Sequence, residues 1–208
     1  MTDAYIVGAV RSAGGKKNGR LSKVHPIDLG AEVVDALVAR TGVPVDEIDD
    51  LIFGCVSQVG AQSSNIARNV CLSSVLGEGV PGTTVDRQCG SGQQAMHFAA
   101  QGVLSGTQDL VIAGGVESMS QVPIGANIID GFKADHGVPY GKKISERYPG
   151  VQFNQFAGAE MLAQKYELTQ DELNQFAFSS HVKAKRAVEE GRFKDEIVPI
   201  EIELEDGS

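Results

Sequence analysis

A chain of 208 residues with 42% hydrophobic and 22% charged residues has the composition of a globular protein, and a core of this size is stable without disulfide bonds. The formal net charge of −9 opposes nucleic-acid binding, which needs a basic surface. No apolar run approaches the ~20 residues of a membrane span, and the N-terminus lacks a signal-peptide pattern. We therefore expect a soluble, cytoplasmic protein.

The first part of the chain alternates strand-like and helix-like runs. Short apolar or β-branched runs predict strands at residues 5–10, 51–56, 83–86 and 110–113. Helical periodicity and small-residue content predict helices between them, at residues 26–40, 63–76 and 90–105. This order predicts an α/β fold, with a mostly parallel sheet and helices on both of its faces.

The composition changes after Met119. Residues 120–150 are rich in Gly, Pro, Lys and Asp without a clear period, which is typical of a functional lid or binding loop. Two helices are predicted beyond it, at about residues 157–166 and, after the capping-box signal Thr169-x-x-Glu172, to about residue 190. Residues 197–204 alternate as a half-exposed strand does.

These patterns predict two domains. Residues 1–119 form the α/β core, and residues 120–208 form an α-rich lid domain that is incomplete at its C-terminal end. We identify no internal repeat in either part.

The three cysteines, Cys55, Cys71 and Cys89, lie far apart in the sequence. Neither a C-x-x-C pair nor a Cys/His cluster occurs, so we expect no metal site and no disulfide framework. An odd number of cysteines in an acidic chain fits a reducing compartment. Cys55 falls in a predicted strand and Cys71 in a predicted helix, and both are expected in the core.

The segment TTVDRQCGSGQQA, residues 83–95, carries the clearest chemical signal. It passes from strand through turn to helix and places Cys89 at or next to the helix start, where unpaired N–H groups and the helix dipole stabilise a thiolate. Gly90 and Gly92 leave room for a substrate carbonyl. The pattern is typical of a nucleophile elbow with sulfur in place of a serine oxygen. From local sequence alone, a buried structural cysteine is the alternative.

The same segment also matches a different motif. Gly90-x-Gly92-x-x-Ala95 fits the dinucleotide-binding fingerprint, and Glu117 follows the next strand at roughly the spacing of a ribose-binding acid. An NAD-dependent oxidoreductase is therefore an alternative. Against it, the preceding strand ends in polar residues, and a cysteine at the mouth of the turn has no purpose in holding a pyrophosphate.

Five segments together resemble the thiolase family. Residues 86–95, DRQCGSGQQA, resemble the nucleophile motif of thiolases, and residues 114–120, GGVESMS, resemble their G-G-x-E-x-M-S loop. Further matches are AVRS at residues 9–12, NIAR at 65–68 and GRFKDEIVP at 191–199. Because these matches follow the family's order over nearly the whole chain, the chain is identified as the N-terminal half of a thiolase with part of its lid. The sequence around Cys89 is most similar to that of degradative thiolases of actinobacterial type.

The resemblance implies an acyl-CoA C-acyltransferase. Cys89 would accept an acyl group from an acyl-CoA as a thioester, in a Claisen condensation or in the thiolysis of a 3-ketoacyl-CoA, and its backbone N–H would contribute to an oxyanion hole. Coenzyme A and acyl-CoA are the implied substrates, with no covalently bound cofactor and no residue assigned to coenzyme A binding. A homodimer or dimer of dimers is the implied assembly.

The resemblance also implies groups that this chain does not contain. Thiolases take a histidine of a G-H-P motif, a cysteine of a C-x-G motif and an N-E-A-F motif from a second α/β half, and none of these motifs occurs here. The C-terminal half, on the same or a separate chain, is therefore an expected partner, and residues 1–208 alone are expected to be inactive. An acyl-CoA-binding protein without transferase activity is the second hypothesis.

Two further positions bear on the site. His97 lies eight residues beyond Cys89 on a predicted helix, about 12 Å away at 1.5 Å per residue, too far to act as its base. Residues 154–160 read NQFAGAE where many short-chain thiolases carry a His-Met pair. Because side chains at this place line the acyl and pantetheine region in the family, the resemblance implies that Ala157 and Gly158 remove bulk from that wall. We therefore predict that acyl chains longer or bulkier than acetoacetyl are accepted. The alternative is that the shortened loop folds inward and Phe153 or Phe156 fills the space.

Overall fold

The structure, a computed structural model, describes residues 3–202. Contacts within the chain divide them into two compact units, one formed by residues 3–136 with 196–202 and the other by residues 137–195. In the part of the chain that the structure describes, no helix is both long and apolar enough to cross a membrane.

Three parallel strands form the central sheet of the first unit, in the order β3-β2-β4. They are β2 (Asp50–Gly54), β3 (Gly82–Val85) and β4 (Val111–Gly115). All three strands end at the same edge of the sheet, because they are parallel and their last residues are paired in register. The segments that follow the three strands are therefore neighbours at this carboxyl edge.

Three helices cover the sheet of the first unit: α1 (Pro26–Thr41), α2 (Ile66–Ser73) and α3 (Ser91–Ser105). Side chains alternate along β2, so Leu51 and Phe53 pack with α1 and α2 while Ile52 packs against Ala95 and Ala99 of α3. The predicted α/β fold, with a parallel sheet and helices on both faces, is confirmed.

The prediction of a strand at residues 5–10 is wrong. The first strand is only β1 (Arg11–Ser12), which pairs in parallel with β5 (Ile197–Val198). Tyr5 and Ile6 are 79% and 76% exposed. An apolar run becomes a strand only where a neighbouring strand accepts its hydrogen bonds, and within residues 3–202 the run at 5–10 pairs with no other strand. The strand predicted at 197–204 is shorter than expected, and residues 203–204 lie outside the described residues.

The segment predicted to be irregular, residues 120–150, contains two short helices, so that prediction was wrong in part. Helix α4 (Ala126–Lys133) belongs to the first unit and α5 (Lys142–Arg147) to the second. Ala126, Ile129 and Phe132 share a helical spacing, but the segment is too short for its period to stand out among the glycines.

Two longer helices complete the second unit, as predicted. Helix α6 (Gln155–Lys165) begins at Asn154, whose side-chain oxygen accepts a hydrogen bond from the backbone N–H of Phe156 at 2.8 Å. Helix α7 (Gln170–Glu189) begins with the predicted capping box, in which Thr169 and Glu172 exchange hydrogen bonds with each other's backbone.

Asp49 joins the starts of β2 and β4, and this contact predicts a pH-dependent stability. Its carboxylate accepts hydrogen bonds from the backbone N–H groups of Asp109 and Leu110, and these bonds hold the pKa of Asp49 below its usual range. The stabilisation is present above the unfolded-state pKa and disappears as the pH falls through the lower folded-state pKa. We expect Asp49→Asn to lower the melting temperature at pH 7, and the difference from the wild type to shrink as the pH falls through the lowered folded-state pKa of Asp49.

The matched control for this prediction is Asp46→Asn. Asp46 is exposed in the neighbouring 3-10 helix and should show no difference from the wild type at pH 7 or at lower pH. Equal melting temperatures of Asp49→Asn and wild type at pH 7 would contradict the role of the Asp49 carboxylate.

Candidate active site

Cys89 lies at the carboxyl edge of the sheet, between β3 and α3. It directly precedes Gly90, the N-cap residue of α3, and its side chain is exposed. Gly90 provides no side-chain cap for the start of α3, and the N–H of Ser91 donates to the carbonyl of Gln88 at 3.0 Å. The positive end of the helix dipole at this position favours a thiolate or a developing oxyanion. The structure therefore places Cys89 where the strand-turn-helix pattern predicted.

The turn that carries Cys89 is held in an unusual backbone conformation. Gln88 has a φ of 49°, which is rare for a residue with a side chain. Its N–H donates to Asp86 Oδ1 at 2.7 Å, and its carbonyl accepts a hydrogen bond from Ser91 Oγ. Ser91 Oγ also accepts from the N–H of Arg87 at 2.9 Å. Strained residues of this kind cluster at catalytic turns, and the sequence carried no local signal for this one beyond the motif itself.

Glycines allow the start of α3 to approach the sheet closely. Gly54 ends β2, and a Cβ atom at this position would lie 2.5 Å from the backbone nitrogen of Gly92. Gly115 ends β4, and a Cβ atom there would lie 2.6 Å from the carbonyl oxygen of Gly54. The strand ends and the first turn of α3 are therefore in backbone contact beneath Cys89.

The other two cysteines are buried, which confirms their predicted place in the core. Burial raises the pKa of Cys55 to about 12, and the negative charge of Glu117 adds to this shift. Burial also raises the pKa of Cys71 to about 11. Both thiols are protonated at neutral pH, so Cys89 is the exposed thiol available for chemistry in this chain.

Glu117 does not serve the dinucleotide-binding alternative. Its carboxylate accepts hydrogen bonds from the backbone N–H groups of Val56 and Ser57, at 2.8 and 3.0 Å, and from the side-chain amide of Gln62 at 3.1 Å. A ribose-binding acid must leave its oxygens free for two hydroxyl groups. This carboxylate is occupied by the protein itself, which removes one of the two features on which that alternative rests.

Neither a histidine base nor a metal-binding cluster accompanies Cys89 among the described residues. His97 lies two turns into α3 and is exposed. Among residues 3–202, no three His, Cys, Asp or Glu side chains cluster in a way that could hold a metal ion.

An aromatic cluster lies within the second unit, just before α6. The ring of Phe153 packs against those of Tyr140 and Tyr148, with centroid distances of 5.4 and 5.6 Å. These rings line an open cleft of about 380 Å³. Phe156 is 77% exposed, and a Cβ atom at Gly158 would meet nothing within 4 Å. Within this unit, the space beside Gly158 is therefore not filled by another side chain.

The fold and the site define an α/β protein with an exposed cysteine on a strand-turn-helix segment at the carboxyl edge of a parallel sheet. The family profile described as "Thiolase, N-terminal domain" matches residues 4–208. The chain belongs to the thiolase family, which confirms the resemblance seen in its motifs.

Named relatives are similar over almost the whole chain. Steroid 3-ketoacyl-CoA thiolase FadA6 of Mycobacterium tuberculosis is 43% identical over 205 residues, which cover 98% of this chain and 50% of that protein. The 3-ketoacyl-CoA thiolase of Bacillus subtilis is 39% identical over 203 residues, 97% of this chain and 50% of its own. The 3-ketoacyl-CoA thiolase of Acinetobacter baumannii strain AYE is 41% identical over 200 residues, which cover 96% of this chain and 49% of that protein. The chain thus spans about half the length of these relatives.

Proposed function

We propose that this chain is the N-terminal half of an acyl-CoA C-acyltransferase and that Cys89 is its acyl-accepting nucleophile. The observation that carries the proposal is the exposed Cys89 thiol on the strained Gln88 turn, at the uncapped start of α3. The relatives that cover the chain are named 3-ketoacyl-CoA thiolases, which supports the same activity.

The proposed reaction in the degradative direction has two steps. The Cys89 thiolate adds to the C3 carbonyl of a 3-ketoacyl-CoA, and the C2–C3 bond then breaks. Its electron pair leaves with acetyl-CoA as the enolate, which takes up a proton, and the shortened acyl group remains on Cys89 as a thioester. Coenzyme A thiolate then attacks this thioester and releases the Cys89 thiolate. In this proposal the backbone N–H of Cys89 donates a hydrogen bond to the oxyanion formed in each addition.

The remaining groups of the site belong to the proposed partner half. The enolate needs a proton donor and coenzyme A needs a base, roles that the resemblance assigns to a histidine and a second cysteine of the C-terminal half. We further propose a cytoplasmic homo-oligomer that uses coenzyme A and acyl-CoA without another cofactor. The assignment of residues 120–208 to a lid over the acyl-CoA is part of the same proposal.

A short pulse of isotopically labelled acetyl-CoA tests the proposed nucleophile in the full-length protein. After quenching and digestion, mass spectrometry should find the acetyl group on the peptide that contains Cys89. Label on Cys55 or Cys71 would overturn the assignment. Tight binding of acetyl-CoA without any covalent label would instead support the second hypothesis, an acyl-CoA-binding protein.

Acyl-chain length provides a separate prediction. Because Ala157 and Gly158 are small and the space beside Gly158 is open, we expect kcat/KM for a medium-chain 3-ketoacyl-CoA to be at least equal to that for acetoacetyl-CoA. One relative is named a steroid 3-ketoacyl-CoA thiolase, and this name agrees with a wide acyl site. Measuring both values for the full-length protein decides the question. A tenfold preference for acetoacetyl-CoA, about 1.4 kcal/mol in transition-state binding, would contradict the wide site.

The variant Gly158→Met provides the matched comparison. It places a long side chain in the open space without altering Cys89, so it should lower kcat/KM for the longer substrate more than for acetoacetyl-CoA. The control Ala163→Met makes a similar change further along α6 and should affect both substrates alike.

A further inference from the structure

Glu117 forms a hydrogen-bonded cluster that the proposed chemistry does not use. The residue lies two positions beyond the end of β4, and its two carboxylate oxygens accept three hydrogen bonds, from Val56, Ser57 and Gln62. Hydrogen bonds to an ionised acceptor are roughly twice as strong as neutral ones. The carboxylate therefore fixes the backbone that leaves β2.

Gln62 extends this cluster and is completely buried. Its side-chain amide nitrogen also donates to the carbonyl of Ser57 at 3.0 Å, and its side-chain oxygen accepts from the N–H of Ser118 at 2.6 Å. Ser57 is only 2% exposed. Buried and partly buried hydrogen bonds therefore hold together the segments that follow β2 and β4, which rigidifies both of them.

The backbone locked by Glu117 is the one against which the Cys89 turn rests. Cys55 follows β2, and its N–H donates to the carbonyl of Val85, the last residue of β3, at 3.1 Å. Gly54 contacts the backbone of Ser91 and Gly92 at the start of α3. A displacement of residues 54–57 is therefore transmitted directly to both ends of the turn that carries the nucleophile.

We propose that Glu117 is a positioning residue for Cys89. Glu117 holds residues 56 and 57 against the end of β4. It thereby fixes the distance between the first turn of α3 and the carboxyl edge of the sheet. This distance determines the position of the Cys89 thiol and of the N–H groups around it. This inference rests on the proposed function of Cys89.

The variant Glu117→Gln in the full-length protein tests this role. It keeps the size of the side chain but replaces one acceptor oxygen by an NH₂ donor, which then faces a backbone or amide N–H group. We expect the saturating rate of acyl transfer to Cys89 to fall at least about tenfold, because small misplacements of a nucleophile are costly. The KM for acyl-CoA should change less than about twofold, since Glu117 contacts no substrate in the proposed site.

The measurement separates a positioning role from a purely structural one. Rates are expressed per titratable Cys89 thiol, well below the melting temperature of each variant. Glu32→Gln, the same change at an exposed site on α1, is the control and should match the wild type. Glu117→Asp keeps the negative charge but shortens the side chain by one methylene group, so its rate should lie between those of the wild type and Glu117→Gln. If Glu117→Gln does not fold, Glu117→Asp tests the positioning role in its place.

Two results would overturn the inference in distinguishable ways. A lower melting temperature of Glu117→Gln with an unchanged rate per titratable Cys89 would show that Glu117 stabilises the fold only. Absence of label on wild-type Cys89 would overturn the proposed function, and the positioning role with it.

Discussion

Cys89→Ala in the full-length protein is expected to lose acyl transfer and thiolysis almost completely. Removing the nucleophile of a covalent mechanism costs about six orders of magnitude in kcat in a well-studied protease. Among residues 3–202, Cys55 and Cys71 are buried and do not replace Cys89. Because the Cys89 side chain is exposed and packs against no core residue, the melting temperature should stay within about 2 °C of the wild type. Thiolysis of 3-ketoacyl-CoA and a thermal melt measure the two effects.

The matched control for this prediction is Cys71→Ala. Cys71 is completely buried in α2, so its truncation should lower the stability by about 1 kcal/mol and leave the rate per folded molecule unchanged. The two variants should therefore show opposite effects: Cys89→Ala loses activity and keeps its stability, whereas Cys71→Ala loses stability and keeps its activity. Substantial thiolysis by Cys89→Ala would exclude Cys89 as the acyl acceptor.

Local patterns in the sequence were sufficient for much of the fold. Helix α7 begins at the predicted capping box, and α1 ends at Gly42, which has the left-handed conformation expected of a helix C-cap. Cys89 was placed correctly at a helix start for the same reason, because a strand, a turn with glycines and a small-residue helix follow one another within 13 residues of sequence.

Features that depend on distant neighbours were not predictable in this way. Residues 5–10 have the composition of a strand, yet their state depends on whether another strand is available to pair with them. The spacing of Glu117 fits a ribose ligand only in the dinucleotide-binding alternative, whereas its partners in the structure include backbone N–H groups about 60 residues earlier in the chain. No periodicity links positions so far apart, so only the folded arrangement identifies this contact.

Gly54→Ala is the second change for which we expect a large effect. Gly54 has no local turn signal, but a Cβ atom at this position would lie 2.5 Å from Gly92 N and 2.5 Å from the carbonyl carbon of Ser91. Both are backbone atoms, which cannot rotate away as a side chain does, so the first turn of α3 must move. The clash should cost about 1–3 kcal/mol of stability, as overpacking of a core does.

The larger consequence concerns Cys89, which lies two residues before Ser91 on the same turn. A shift of about 1 Å at a nucleophile can lower the rate about 10²-fold, so acyl transfer per titratable Cys89 should fall by that order in Gly54→Ala. Gly131→Ala is the control, because Gly131 lies in α4 with open space around its Cα and alanine favours a helix. Unchanged rate and stability in Gly54→Ala would show that α3 does not rest on the end of β2, and would remove the route by which Glu117 acts on Cys89.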